Sequence, residues 1–273
     1  MDKLFDGDWN FLLTNRASKI FELENFTENL DFIFEESIKV SVTNIDEKIE
    51  EISKQTDNLN TQLKELEKNG VIIVDDEKPS DELMDIYNEL GGLDYEEWYS
   101  QQQKISLIEM QVINLYKNFE LLLKDIIVCA FPKAKKRDLF QWDNVKDLMK
   151  ANEVRFGELT SYNYINHLRL VNNNIKHSPV IERDDTQIRS IIEFKNLEEF
   201  DYISLNTFYS RIKPYVKLFL EELVKEIIQS LYTFDDDRIN KIICDYEERM
   251  DEKTFKKFSE AITSKLNDKY KTI

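Results

Sequence analysis

The sequence predicts an all-α protein: a helical bundle with a long N-terminal coiled-coil-like region and a short C-terminal helical tail. Three observations carry this. Its 273 residues include only 5 Gly and 4 Pro, too few to punctuate a sandwich or a βαβ fold. Residues 38–66 hold a seven-residue apolar repeat. Residues 103–130 hold a second apolar series with helical spacing, from Ile105 through Ile108, Val112, Leu115, Phe119 and Leu122 to Ile126.

In chain order, residues 17–37 read as helix, with Ile20, Phe21, Leu23, Phe26, Leu30 and Ile33 on its apolar side. The repeat over 38–66 then runs Ile38, Val42, Ile45, Ile49, Ile52, Thr56, Leu59, Leu63, Leu66, alternating steps of four and three with one polar break. A helix of this length, ~45 Å, needs a partner helix in its own chain or another. Asn69-Gly70 predicts its stop, and Val71–Val74 predicts a strand or an extended connector. Ser80 predicts an N-cap, and Gly91-Gly92 the end of the helix that follows.

The helix over 103–130 is predicted to be central and to end at Phe131-Pro132. A short helix follows around 142–150, then one spanning roughly 160–177 that Ser178-Pro179 ends. Residues 181–204 fit neither period and read as a loop with a short helix or strand. Residues 205–232 read as amphipathic helix, with Pro214 either a kink or its true start. Asp235–Asp237 predicts the cap of a tail with helices around 237–250 and 253–269. Three regions result: an acidic helical region 1–97, a helical domain 98–232 and a tail 233–273.

Charge divides the chain the same way. The whole carries −17. Residues 1–97 hold 26 acids and 9 bases, whereas residues 98–177 hold 8 acids and 12 bases. A polyanion would be drawn to the middle of the chain, where Lys133, Lys135, Lys136 and Arg137 form the densest basic cluster and the predicted polyanion-binding group. No basic recognition helix favours a DNA-binding regulator. Neither a dinucleotide nor a P-loop glycine motif occurs. Two distant cysteines and two histidines offer neither a disulfide framework nor a metal cluster, so no metal and no cofactor are expected. The absence of a long apolar run and of a leader-like start predicts a cytoplasmic protein with no membrane partner. Trp9, Trp98 and Trp142 read as core, and Cys129 as an inert buried thiol.

One segment is unusual. Asn163-Tyr-Ile-Asn-His-Leu-Arg-Leu-Val-Asn-Asn-Asn-Ile-Lys-His-Ser-Pro179 holds both histidines and places Arg169, Asn173 and His177 on one slanting ridge. Three consecutive Asn cost a helix about 1–2 kcal/mol relative to Ala. The order of central helix, short helices and a helix reading Leu-Arg-x-x-Asn-Asn-x-x-Lys-His-Ser resembles the HEPN superfamily of prokaryotic helical domains, over about residues 103–232. That resemblance implies a HEPN-like bundle and a metal-independent endoribonuclease of phage defence, abortive infection or a toxin–antitoxin system. It also implies a homodimer whose active site forms across the dimer.

The family signature is an Arg, four to six residues, and a His, often with a polar residue after the Arg. His177 matches the His, and Asn173 stands at the polar position. Asn172 stands where Arg is commonest, and the nearest Arg is Arg169, with seven residues between it and His177. The resemblance implies His177 as the acid/base and Arg169 as the phosphate stabiliser, with Asn172, Asn173 and Lys176 in support. Glu120 and Lys124, at i and i+4 of the central helix, share a face that in some members approaches the Arg/His helix. The alternative is a catalytically silent HEPN-like sensor or scaffold whose acidic N-terminal region binds a protein partner.

Overall fold

The computed structural model describes residues 15–30, 34–68, 81–178, 180–181 and 185–270. The predicted stop at Asn69-Gly70, the Val71–Val74 run, the Ser80 cap and Trp9 lie outside the described residues. The chain divides into two compact units, Met1–Glu226 and Ile227–Ile273.

All regular structure among the described residues is helical, with one isolated β-bridge between Val180 and Glu199. The helices are α1 (Asn15–Phe26), α2 (Phe34–Lys68), α3 (Asp81–Ala130), α4 (Trp142–Ala151), α5 (Tyr162–His177), α6 (Thr186–Arg189), α7 (Tyr202–Tyr232), α8 (Asp236–Arg249) and α9 (Glu252–Tyr270).

The long repeat finds its partner within the chain, because α2 packs along α3. Ile52 and Leu59 of α2 bury themselves against Ile86 and Leu93 of α3, with Leu63, Leu66 and Leu90 at the edge. Ion pairs flank this seam, Lys48 with Glu96 at 3.4 Å and Lys104 with Asp46 at 2.5 Å.

Three expectations are corrected here. Gly91-Gly92 does not end a helix, since α3 runs through both as one element of 50 residues. Two interior glycines cost a helix about 2 kcal/mol relative to Ala. Burial of Leu83, Ile86 and Leu93 on the seam offsets that, at about 1.5–3 kcal/mol for each large side chain. The single helix over 17–37 is interrupted. α1 ends at Phe26, a 3-10 turn spans Thr27–Asn29, and Leu30 is extended. Pro214 is not a start, because α7 begins at Tyr202, where the Asp201 carboxylate accepts from the Ser204 N–H at 2.8 Å. The proline is carried because Leu205, Phe208 and Ile212 before it and Val216, Phe219 and Leu220 after it are fully buried.

The second half of α3, α5 and α7 enclose the main core of the first unit. Phe119 of α3 meets Phe219 of α7 edge-on at 5.7 Å, and Phe156 meets Phe219 at 5.5 Å. Ile165, Leu168 and Val171 bury the inner face of α5. The described residues of 181–204 include α6, a 3-10 turn at Ile192–Phe194, Glu199 of the lone bridge and the first residues of α7. In the second unit Asp235 caps α8 through the Arg238 N–H at 2.8 Å, as its position predicts. Tyr246 of α8 lies 5.0 Å from Phe258 of α9 between ring centres. No helix of the described residues is long and apolar enough to cross a membrane.

Candidate functional site

α5 packs on the second half of α3, and that contact brings several of the sequence-predicted residues together. Tyr116, Glu120 and Lys124 are spaced by four on α3 and form one ladder. The Lys124 ammonium donates to Glu120 Oε1 at 2.7 Å. Lys124 is itself buried, 4.3 Å from the centre of the Phe140 ring, which closes over it while leaving its own outer face in solvent. From α5, the Lys176 ammonium lies 5.9 Å from the centre of the Tyr116 ring. Arg169 is seven residues earlier, two turns down the same face, and its charge acts on Tyr116 too. Burial pushes the Tyr116 phenol up to about 12; the Glu120 carboxylate adds to this and Arg169 opposes it. The phenol therefore stays protonated at neutral pH and is available as a hydrogen-bond donor.

Arg169 does not reach Glu120. Its guanidinium donates from Nη2 to Asn166 Oδ1 at 3.0 Å and sits 5.9 Å from the Trp142 ring centre. Trp142 is half-buried and touches Tyr162 and Phe156, so it walls the site instead of filling the core. Trp98 departs further from the core expectation, being more than half exposed.

Asn172 is 0 % exposed, on the apolar side of α5 with Leu168 and Val171. Its Nδ2 donates to Asn173 Oδ1 at 3.2 Å, and its own Oδ1 has no hydrogen-bond partner. Asn174 Oδ1 is likewise buried and unpartnered. Asn173, Lys176 and His177 are exposed, His177 as the last residue of α5. His177 is eight positions after Arg169, about 12 Å further along the axis. Within one chain the two therefore do not converge on one phosphate.

The basic cluster lies beyond the end of α3. Lys136 pairs with Asp125, and Arg137 with Asp138 at 3.6 Å. Lys133 and Lys135 line a cavity of about 740 Å³ floored by Phe131, Leu139 and Leu148. Two of the four charges are thus partly neutralised by neighbouring carboxylates.

Sequence reasoning missed Tyr116, although its step of four from Glu120 was readable. His167 is half-buried, with Nδ1 unpartnered, in the field of Arg211 and Glu193. Nearby, the Tyr164 and Tyr215 rings stack at 3.5 Å and 3°. Cys129 is buried as expected, and burial foremost pushes its thiol up to about 11. Among the described residues no group of three or more His, Cys, Asp and Glu side chains is placed to hold a metal ion. In comparisons with protein-family models, curated proteins and solved structures, nothing matches this chain.

Proposed function

We propose that the chain is a HEPN-type endoribonuclease acting in phage defence, abortive infection or a toxin–antitoxin system. The reading rests on the resemblance of the α5 sequence to that family. The observation that supports it best is the meeting of the Tyr116–Glu120–Lys124 ladder with Arg169 and Lys176. RNA brings its own nucleophile. His177 takes the proton of the 2′-hydroxyl as that oxygen bonds to phosphorus. The bond from phosphorus to the 5′-oxygen breaks, and the leaving oxygen takes its proton from the His177 imidazolium, which restores the neutral imidazole. The products are a 2′,3′-cyclic phosphate and a 5′-hydroxyl. Arg169 and Lys176 balance the charge that develops on the phosphorane, and the Tyr116 phenol donates to it. The ~12 Å between Arg169 and His177 calls for a second copy of the chain, so that the His177 of one faces the Arg169 of the other.

The test is cleavage of a mixed RNA pool in EDTA by the purified protein, beside His177→Ala and Arg169→Ala. Cleavage lowered a hundredfold or more in both variants is the expected result. Intact RNA with the unaltered protein, or unchanged cleavage by His177→Ala, sinks the proposal. A second reading, a catalytically silent scaffold, is favoured by one observation: the residue at the usual Arg position, Asn172, is wholly buried. It predicts intact RNA and partner binding that survives His177→Ala.

A further inference from the structure

The seam uses only one side of α3. A second apolar stripe runs down another side, through Met84, Tyr87, Gly91, Tyr95 and Trp98. At 100° per residue these five fall within an arc of about 80°, whose middle lies about 130° from the seam. The steps of three and four are those of a helix-pairing face, yet the four side chains are between 44 % and 64 % exposed. The rings form a cluster of their own. Tyr95 lies 5.8 Å from Trp98 and 6.5 Å from Tyr99 between centroids. A Cβ built on Gly91 would meet nothing within 4 Å, so the stripe is open at its middle.

From Met84 to Trp98 the stripe is about 21 Å long, or about four helical turns. A methionine at one end and aromatic rings along the rest suit an adaptable binding surface.

Charge selects the occupant. Residues 81–103 hold seven acids and no Lys or Arg, and α2 alongside holds nine acids and five bases. A second copy would bring the same excess of carboxylates against this one. A helix with Lys and Arg beside its apolar face would pair with those carboxylates and lay its cations over Tyr and Trp rings. We propose that this stripe on α3 docks a cationic amphipathic helix of a partner protein over about four turns, apolar face to apolar face. The surface is independent of whether the chain cleaves RNA.

The test uses a fluorescent 26-residue peptide of Leu and Lys with Leu at alternating steps of three and four, and a matched Leu and Glu peptide. Fluorescence anisotropy is read with the full chain and with Tyr95→Ala/Trp98→Ala. The variant keeps every charge, and its two altered side chains are already exposed, so an unchanged circular-dichroism melt is expected. Binding of the Leu/Lys peptide, weakened tenfold or more in the variant, supports the proposal. Four results overturn it: no binding, equal affinity in the variant, equal affinity for the Leu/Glu peptide, or a self-association by sedimentation that the variant abolishes.

Discussion

Arg211 and Glu193 close a two-pronged ion pair, Nε to Oε1 at 2.6 Å and Nη2 to Oε2 at 2.8 Å, with the His167 imidazole in the field of both. Burial by itself would raise the Glu193 carboxyl; the Arg211 hydrogen bonds and charge outweigh it and hold the group below the ordinary carboxylate range. The pair ties the 3-10 turn at Ile192–Phe194 to α7.

Glu193→Gln is expected to destabilise the protein by about 2 kcal/mol. That lies between an exposed pair and a fully buried one, because the Glu193 side chain is 6 % exposed and that of Arg211 29 %. Since the folded value is depressed, the contribution is full above the unfolded carboxyl value of about 4.3 and fades as pH falls through the folded one. Urea melts of both proteins at pH 7 and pH 3 should therefore converge on acidification. Equal stability at pH 7 would count against the pair.

His167 is held below the ordinary imidazole value, first by burial and then by Arg211, with Glu193 opposing. The chain has only two histidines, so His177→Ala leaves the proton-NMR titration of His167 alone in view. The expected curve has its midpoint below the reference of about 6.5, and the midpoint falls further in Glu193→Gln. The stability linked to this group is complete above about 6.5 and is lost as pH falls through the folded value. A midpoint at or above the reference would refute the assigned surroundings.

Gly92→Ala is expected to raise stability by about 0.5–1 kcal/mol. Position 92 lies inside α3, and an added Cβ there would meet nothing within 4 Å. A thermal melt shifted upward checks it. A downward shift would mean that the helix breaks at the glycine pair, as the sequence suggests.

That glycine pair shows where the sequence misleads. The 38–66 repeat announced a helix with a seam, and the structure seats the seam on residues 83–93, whose own apolar steps are easily masked by Gly91-Gly92. Local propensity marks a stop there; the tertiary burial of Leu93 overrides it. The cap at Asp235 and the ends of α3 and α5 were legible because polar caps and prolines act locally. At the candidate site, the spacing of Glu120 and Lys124 was readable, and so was the ridge of α5. The Asn166 partner of Arg169, three residues earlier on α5, was readable too; the Trp142 ring beside Arg169 was not, since it depends on how α4 and α5 pack.

The unbroken course of α3 fixes a phase relation along the molecule. Tyr95 on the open stripe and Tyr116 on the ladder are 21 residues apart, about 32 Å along one rod without a joint between them. Their relative azimuth is therefore set by residue count alone. A single residue inserted near Gln102 would turn one against the other by about 100° and carry each about 1.5 Å further from the other. The length of this segment is thus as much a part of the design as its composition.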